Sequence, residues 1–102
     1  MSQQLPTTND LPHVTDLVIE DMYLRKQSGI RTYGHALQPF NKRNSLQDAF
    51  EEALDMSMYL KQAIIEREEM INILVAMANA KTEDSFTLFV QARQLLEKLG
   101  EL

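Results

Sequence analysis

The sequence predicts an all-α protein, a helical bundle around one long central helix that assembles as an oligomer. Only three glycines and three prolines occur among its 102 residues, and none lies between Asn41 and Leu99, so nothing there interrupts a helix. Apolar residues recur at helical spacing from Ser45 to about Ala80. At about 1.5 Å per residue such a helix spans roughly 54 Å, more than the expected width of a globule of this size. The helix must therefore extend beyond a single compact core.

The N-terminal part of the chain divides into a flexible segment and a first helix. Residues 1–12 are polar, contain two prolines and show no periodicity, which predicts a flexible segment. Residues 13–102 are predicted to form a single all-helical domain. Its first helix is expected from about His13 to Gln27, with Gly29 as the stop signal. Residues 28–44 then form an ordered loop, too rich in aliphatic and aromatic residues for a free linker.

The long helix carries the strongest packing signal. Asn44 or Ser45 is a good N-cap. One face is marked by Leu46, Phe50, Ala53, Ser57, Leu60 and Ile64. After Met70 the run INILVAMANA is apolar nearly all round, and such a helix must be covered on most sides. We therefore expect partner subunits, in a homodimer or homotetramer because two-fold assemblies dominate. A break near Arg67–Met70 would give four helices instead.

The last helix is predicted from Asp84 or Ser85 to Leu99, and Gly100 ends it. Its regular apolar stripe is typical of a core-facing helix rather than of a ligand site. The stripe consists of Phe86, Phe89, Val90, Ala92, Leu95, Leu96 and Leu99.

Composition excludes several classes of function. The absence of cysteine excludes disulfides, thiolate metal sites and cysteine nucleophiles. A net charge of −5 argues against a general nucleic-acid binder. No apolar stretch approaches the roughly 18 residues of a membrane span, and the N-terminus does not resemble a signal peptide. We therefore expect a cytoplasmic protein with neither a membrane nor a nucleic-acid partner.

A basic segment interrupts this acidic chain. No Asp or Glu lies between Asp21 and Asp48. An acidic protein with one basic segment can hold a local anion while remaining soluble, although the segment can also be simply a basic loop. The interval contains His35 and half of all lysines and arginines, namely Arg25, Lys26, Arg31, Lys42 and Arg43.

Four acids cluster at the start of the long helix. Their spacing of three and four residues places them on one side, opposite the face of Leu46 and Phe50. A solvated helix face has the same pattern. However, like charges without a basic partner four residues away repel one another, and a divalent cation would relieve that repulsion. The four acids are Asp48, Glu51, Glu52 and Asp55. In the first helix, Asp21 continues the apolar spacing and Glu20 lies at its edge.

The segment Glu51–Leu60 resembles the second half of the metal motif of all-α, MazG-like nucleotide pyrophosphohydrolases, an ExxD matched by Glu52 and Asp55. The first half of that motif, EExxE, has its counterpart at Glu20-Asp21, where Leu24 replaces the third acid. The loop residues Tyr33-Gly34 and Leu37–Asn41 are similar to short, phage-type members, which would place the protein in the host cytoplasm. The resemblance covers residues 17–65.

The resemblance implies Mg²⁺-dependent hydrolysis of a nucleoside triphosphate to the monophosphate and pyrophosphate. Glu20, Asp21, Glu52 and Asp55 would be metal ligands, and Asp48 or Glu51 would position the attacking water. Phosphate contacts would come from Lys26, Arg31, Lys42 and Arg43. Tyr33 or Phe40 would stack on the base, with Gln38, Asn41 and Asn44 reading its polar edge. Two alternatives remain open: an inactive protein that binds or sequesters a nucleotide, and a purely structural helical oligomer.

Overall fold

The structure, a computed structural model, describes residues 3–102 and contains three α-helices. They are α1 (Val14–Tyr33), α2 (Ser45–Ala78) and α3 (Ser85–Lys98), with a 3₁₀ turn at Thr82–Asp84 before α3. No strand occurs in this described part of the chain, so the all-α prediction is confirmed.

The chain divides into two units, Met1–Arg43 and Asn44–Leu102. Residues 3–13 form no helix or strand before α1 begins. The predicted flexibility of residues 1–12 remains a prediction, and Met1 and Ser2 lie outside the described residues. The single domain over residues 13–102 likewise remains a prediction.

α1 extends beyond its predicted end, because Gly34 and not Gly29 ends the helix. The helix passes through Gly29 and ends at Tyr33. Gly34 caps it in the left-handed conformation, at φ 86°, and its N–H donates to the Ile30 carbonyl oxygen at 2.8 Å. A glycine stops a helix where its φ is positive, whereas a glycine at helical φ is only less favourable than alanine. The predicted loop 28–44 therefore begins only after Tyr33.

This helix end predicts opposite effects for two glycine substitutions. Gly29→Ala should raise the free energy of unfolding by about 0.5–1 kcal/mol, because a Cβ there meets nothing within 4 Å and the glycine is inside a helix. Gly34→Ala should lower it by about 1–2 kcal/mol, because alanine is strained at positive φ. Urea unfolding followed by far-ultraviolet circular dichroism measures both. A loss of stability with Gly29→Ala would contradict the observed course of α1.

α2 begins where the sequence predicts and continues without a break. The Asn44 side chain accepts a hydrogen bond from the Gln47 backbone N–H at 3.1 Å, so Asn44 is the N-cap. The 34 residues of α2 span about 51 Å. The alternative of a break near Arg67–Met70 is wrong, because that stretch lacks glycine and proline and consists of good helix formers.

α3 returns along α2 to form an antiparallel helical hairpin. Leu88 and Leu95 are the buried residues of α3, 9% and 6% exposed, and Ile73 of α2 is half-buried. The Lys98 Nζ lies 2.6 Å from the Glu69 Oε1. Both side chains are largely exposed, and a surface ion pair of this kind contributes about 0–1 kcal/mol. This contact places the end of α3 beside the C-terminal half of α2.

The buried side of α3 differs from the predicted stripe. Leu88 was not expected in the core, whereas Phe86 and Phe89 were expected there and are exposed. α3 is apolar on more than one side, and the position of α2 decides which side is covered. Gly100 ends α3 as predicted, at φ 80°, with its N–H donating to the Glu97 carbonyl and that of Glu101 to the Leu96 carbonyl.

None of the helices in residues 3–102 combines the length and the apolar character required to cross a bilayer.

Candidate functional site

The four acids at the start of α2 lie on one side of a well-defined helix. The Asn44 cap sets the beginning of this helix, so Asp48 falls in the first turn, where the partial positive charge of the N-terminus favours a carboxylate. Asp48 is half-buried, and Glu51, Glu52 and Asp55 are exposed. Gln47 Nε2 donates to Glu51 Oε1 at 3.2 Å. Glu52 and Asp55 are one turn apart and thus adjacent on the helix surface.

The other two predicted metal ligands belong to α1. Glu20 and Asp21 are both exposed, as are Val14, Leu17 and Val18 of the apolar face. Within this unit Asp21 is therefore exposed and not part of a buried stripe. The predicted ligand set is divided between the two units, with two acids in each.

No group of three or more His, Cys, Asp or Glu side chains suitable for a metal ion occurs among residues 3–102. The chemistry of the donors nevertheless suits magnesium, because Mg²⁺ is bound by one or two carboxylates together with waters and substrate phosphates. Glu52 and Asp55 can supply such a pair from α2 alone. The prediction of a bound Mg²⁺ ion remains a prediction.

The predicted nucleotide-binding residues lie at the end of α1 and in the loop that follows. Arg31 and Tyr33 are in the last turn of α1 rather than in the loop. Phe40 adopts a left-handed backbone, at φ 58°, and its side chain is fully exposed. Lys42 is also left-handed, at φ 68°. A left-handed conformation costs a residue other than glycine roughly 1–2 kcal/mol, and such strain is concentrated at functional sites.

Local hydrogen bonds shape this loop. The Asn41 Oδ1 accepts from the Arg43 N–H at 3.0 Å, and the His35 Nδ1 lies 3.0 Å from the Ala36 carbonyl oxygen. The side-chain oxygen of Asn41 is therefore hydrogen-bonded to the backbone, while the NH₂ group of the same amide can donate to a ligand. Gln38 is exposed.

The hairpin also contains a cleft that the sequence did not indicate. A cavity of about 310 Å³ lies between α2 and α3. The Lys98–Glu69 ion pair lies at its wall, and the lining also contains amide side chains from both helices. Its signal in the sequence is weak, because isolated Asn and Gln residues on a helix are usually solvated. The lining is mixed, with two apolar residues, and consists of Glu69, Asn72, Ile73, Gln91, Gln94, Leu95 and Lys98.

Comparisons with protein-family models, with curated proteins and with solved structures find no match to this chain. The resemblance to MazG-like enzymes therefore depends on the motif residues alone.

Proposed function

We propose that this protein is a Mg²⁺-dependent, MazG-like nucleoside triphosphate pyrophosphohydrolase. The observation that carries the proposal is the acidic face at the start of α2, where Asp48, Glu51, Glu52 and Asp55 lie on one side of the first three turns. Four carboxylates so close together repel one another, and a divalent cation that also binds phosphates neutralises them.

In this proposal the acids divide the chemistry between them. Glu52 and Asp55, with Glu20 or Asp21, would hold the ion. A bound Mg²⁺ ion would supply charge neutralisation at the phosphates and a more acidic water. Asp48 or Glu51 would position the attacking water. Attack of that water at the α-phosphorus would break the bond to the oxygen that bridges the α- and β-phosphates, so that pyrophosphate leaves.

The basic segment serves the rest of the nucleotide. Lys26, Arg31, Lys42 and Arg43 contact the phosphates, and they lie in an interval, from Asp21 to Asp48, that contains no further Asp or Glu. The full exposure of Phe40 supports a stacking role, because a base stacked on an aromatic ring is stabilised by about 1–3 kcal/mol. Tyr33 is a second stacking residue, and Gln38 and Asn41 read the polar edge of the base.

A second candidate function is nucleotide sequestration without cleavage. Leu24 stands where the motif of the resembled family has a third acid, and no cluster of three potential ligand side chains occurs among the described residues. A site with fewer carboxylates can still bind a nucleotide through the basic segment and an exposed aromatic ring. In this second candidate function the same residues bind the nucleotide, but the nucleotide is not hydrolysed.

One experiment separates these candidates. Thermal shift is measured against a panel of nucleoside triphosphates and signalling nucleotides, with and without Mg²⁺, and bound material is identified after heat release. The enzyme reading expects a Mg²⁺-dependent stabilisation with monophosphate and pyrophosphate as products. Sequestration expects intact ligand and no product. The absence of any shift across the panel would support a purely structural oligomer and contradict both proposals.

We further propose that the protein is a homodimer or homotetramer. In the unit Asn44–Leu102, the residues buried are Leu88 and Leu95, while large apolar side chains of α2 and α3 remain exposed. Burial of apolar surface is the main favourable term in folding, so a unit with so small a core gains stability by association.

A further inference from the structure

A continuous stripe of residues at alternating spacings of four and three runs along the whole of α2. This α2 stripe extends the predicted face of the helix and keeps the 3.5-residue period of a coiled-coil seam from one end to the other. It is apolar except at Ser57 and Arg67. Its members are Leu46, Phe50, Ala53, Ser57, Leu60, Ile64, Arg67, Ile71, Leu74 and Ala78.

α3 does not cover this stripe. It packs against the side of α2 that carries Glu69 and Ile73, which is nearly opposite the stripe on a helix of 3.6 residues per turn. Leu60, Ile64 and Leu74 are 56%, 49% and 63% exposed. The most regular apolar surface of the hairpin is therefore without a partner in this unit.

The stripe is complementary to itself when two copies of α2 are antiparallel and overlap over their full length. Each stripe residue of one copy then faces a stripe residue of the other, and the two-fold axis passes close to the middle of the helix. Small residues face large ones in two of the layers, as jigsaw packing requires. The facing pairs are Leu46 with Ala78, Phe50 with Leu74, Ala53 with Ile71, Ser57 with Arg67, and Leu60 with Ile64.

Charge favours the antiparallel arrangement over the parallel one. In a parallel pair every residue faces its own copy, so the two Arg67 side chains repel each other and both acidic faces lie at the same end of the pair. In the antiparallel pair Arg67 faces Ser57, and the two acidic faces lie at opposite ends. The Ser57–Arg67 layer occurs twice, once on each side of the two-fold axis, and polar layers in an apolar seam specify register at some cost in stability.

We propose that a second copy of this chain covers the α2 stripe, in an antiparallel, fully overlapping pair. A strip about 51 Å long and about 10 Å wide has a footprint on the order of 500 Å². Apolar side chains that flank the stripe widen it towards the roughly 800 Å² per partner of a stable dimer. α1 is a poorer occupant, because its 20 residues span about 30 Å and leave much of the stripe uncovered.

This pairing leaves the candidate site accessible. Asp48, Glu51, Glu52 and Asp55 lie on the side of α2 opposite the stripe. The inference rests on the self-association proposed above and does not depend on nucleotide chemistry. Each dimer would carry one acidic face at either end.

Disulfide trapping tests the register directly, because the protein has no cysteine of its own. Ala53→Cys and Ile71→Cys are prepared separately, mixed to allow subunit exchange, oxidised and analysed on non-reducing gels. The two positions are about 27 Å apart along one helix, so only an intermolecular disulfide can join them. The mixture should give a covalent heterodimer as the main product, and each variant alone should give little.

Other outcomes overturn the proposal. Crosslinking of each single variant with itself would indicate parallel pairing. Mixing Ala53→Cys with Gln62→Cys, which lies opposite the stripe, is the control and should give no heterodimer. The pair Leu46→Cys and Ala78→Cys repeats the test near the helix ends.

Light scattering on the unmodified protein tests the oligomeric state separately from the antiparallel pairing. A monomer at tens of micromolar would overturn both the proposed oligomer and this pairing. A dimer or tetramer that fails to give the Ala53–Ile71 and Leu46–Ala78 crosslinks would overturn the pairing alone. Neither result bears on nucleotide hydrolysis, which the thermal-shift and product measurements test.

Discussion

Glu52→Gln or Asp55→Asn is expected to lower Mg²⁺-dependent pyrophosphate release by on the order of a hundredfold or more. Each substitution replaces a charged oxygen ligand by a neutral amide of nearly the same shape. A metal that neutralises phosphate charge contributes several kcal/mol to the transition state, and loss of a carboxylate removes part of that contribution. Pyrophosphate release is measured at several Mg²⁺ concentrations, and excess Mg²⁺ should recover part of the activity.

Glu68→Gln is the matched control for these substitutions. It removes the same charge from an exposed position of the same helix, more than three turns beyond the acidic face. Its activity should stay within about twofold of the unmodified protein, since a distant exposed charge is screened by salt. Equal losses from Glu68→Gln and Asp55→Asn would indicate a general charge effect and contradict the proposed metal site.

Ile64→Glu is expected to convert the oligomer to smaller species at micromolar concentration. In the proposed pair Ile64 faces Leu60 on either side of the two-fold axis, so each dimer would bury two unpaired carboxylates in an apolar layer. An unpaired buried charge is strongly destabilising, by roughly 3–5 kcal/mol where one partner of a pair is missing, which is roughly two to four orders of magnitude in a dissociation constant. Sedimentation velocity over a range of concentrations measures the shift.

Met58→Glu provides the comparison within the same helix. It also places a glutamate at an exposed apolar position, 63% exposed, but on a side of α2 turned away from the stripe. Its assembly should match that of the unmodified protein. Far-ultraviolet circular dichroism of both variants shows whether the helix persists, and dissociation by Met58→Glu with no effect of Ile64→Glu would place the contact on another face.

Most helix boundaries could be predicted because their signals are local. Asn44 caps α2 through its own side chain, and Gly100 ends α3 by adopting a positive φ, so neighbouring residues suffice to anticipate both. Gly29 and Gly34 show the limit of such signals. Glycine is compatible with both the interior of a helix and its left-handed end. In the structure it is Gly34 that ends α1.

The buried side of α3 could not be predicted in the same way. Phe86 and Leu88 are both large and apolar, and periodicity alone assigns either to a core. Leu88 is buried because α2 lies on that side, and Phe86 remains exposed. The same applies to the candidate site. Periodicity correctly places the acids of α2 on one face, but whether acids from two helices converge on one ion depends on contacts between segments.

By itself the sequence determined the helical class, the long uninterrupted α2, its cap, and the acidic and apolar faces on its opposite sides. These features depend on backbone preferences and side-chain spacing, which act over a few residues. Only the tertiary structure decided which face of α3 is covered, that α3 leaves the α2 stripe exposed, and that a cleft opens beside Lys98 and Glu69. Those features depend on how helices distant in sequence pack, because burial is set by neighbours in space.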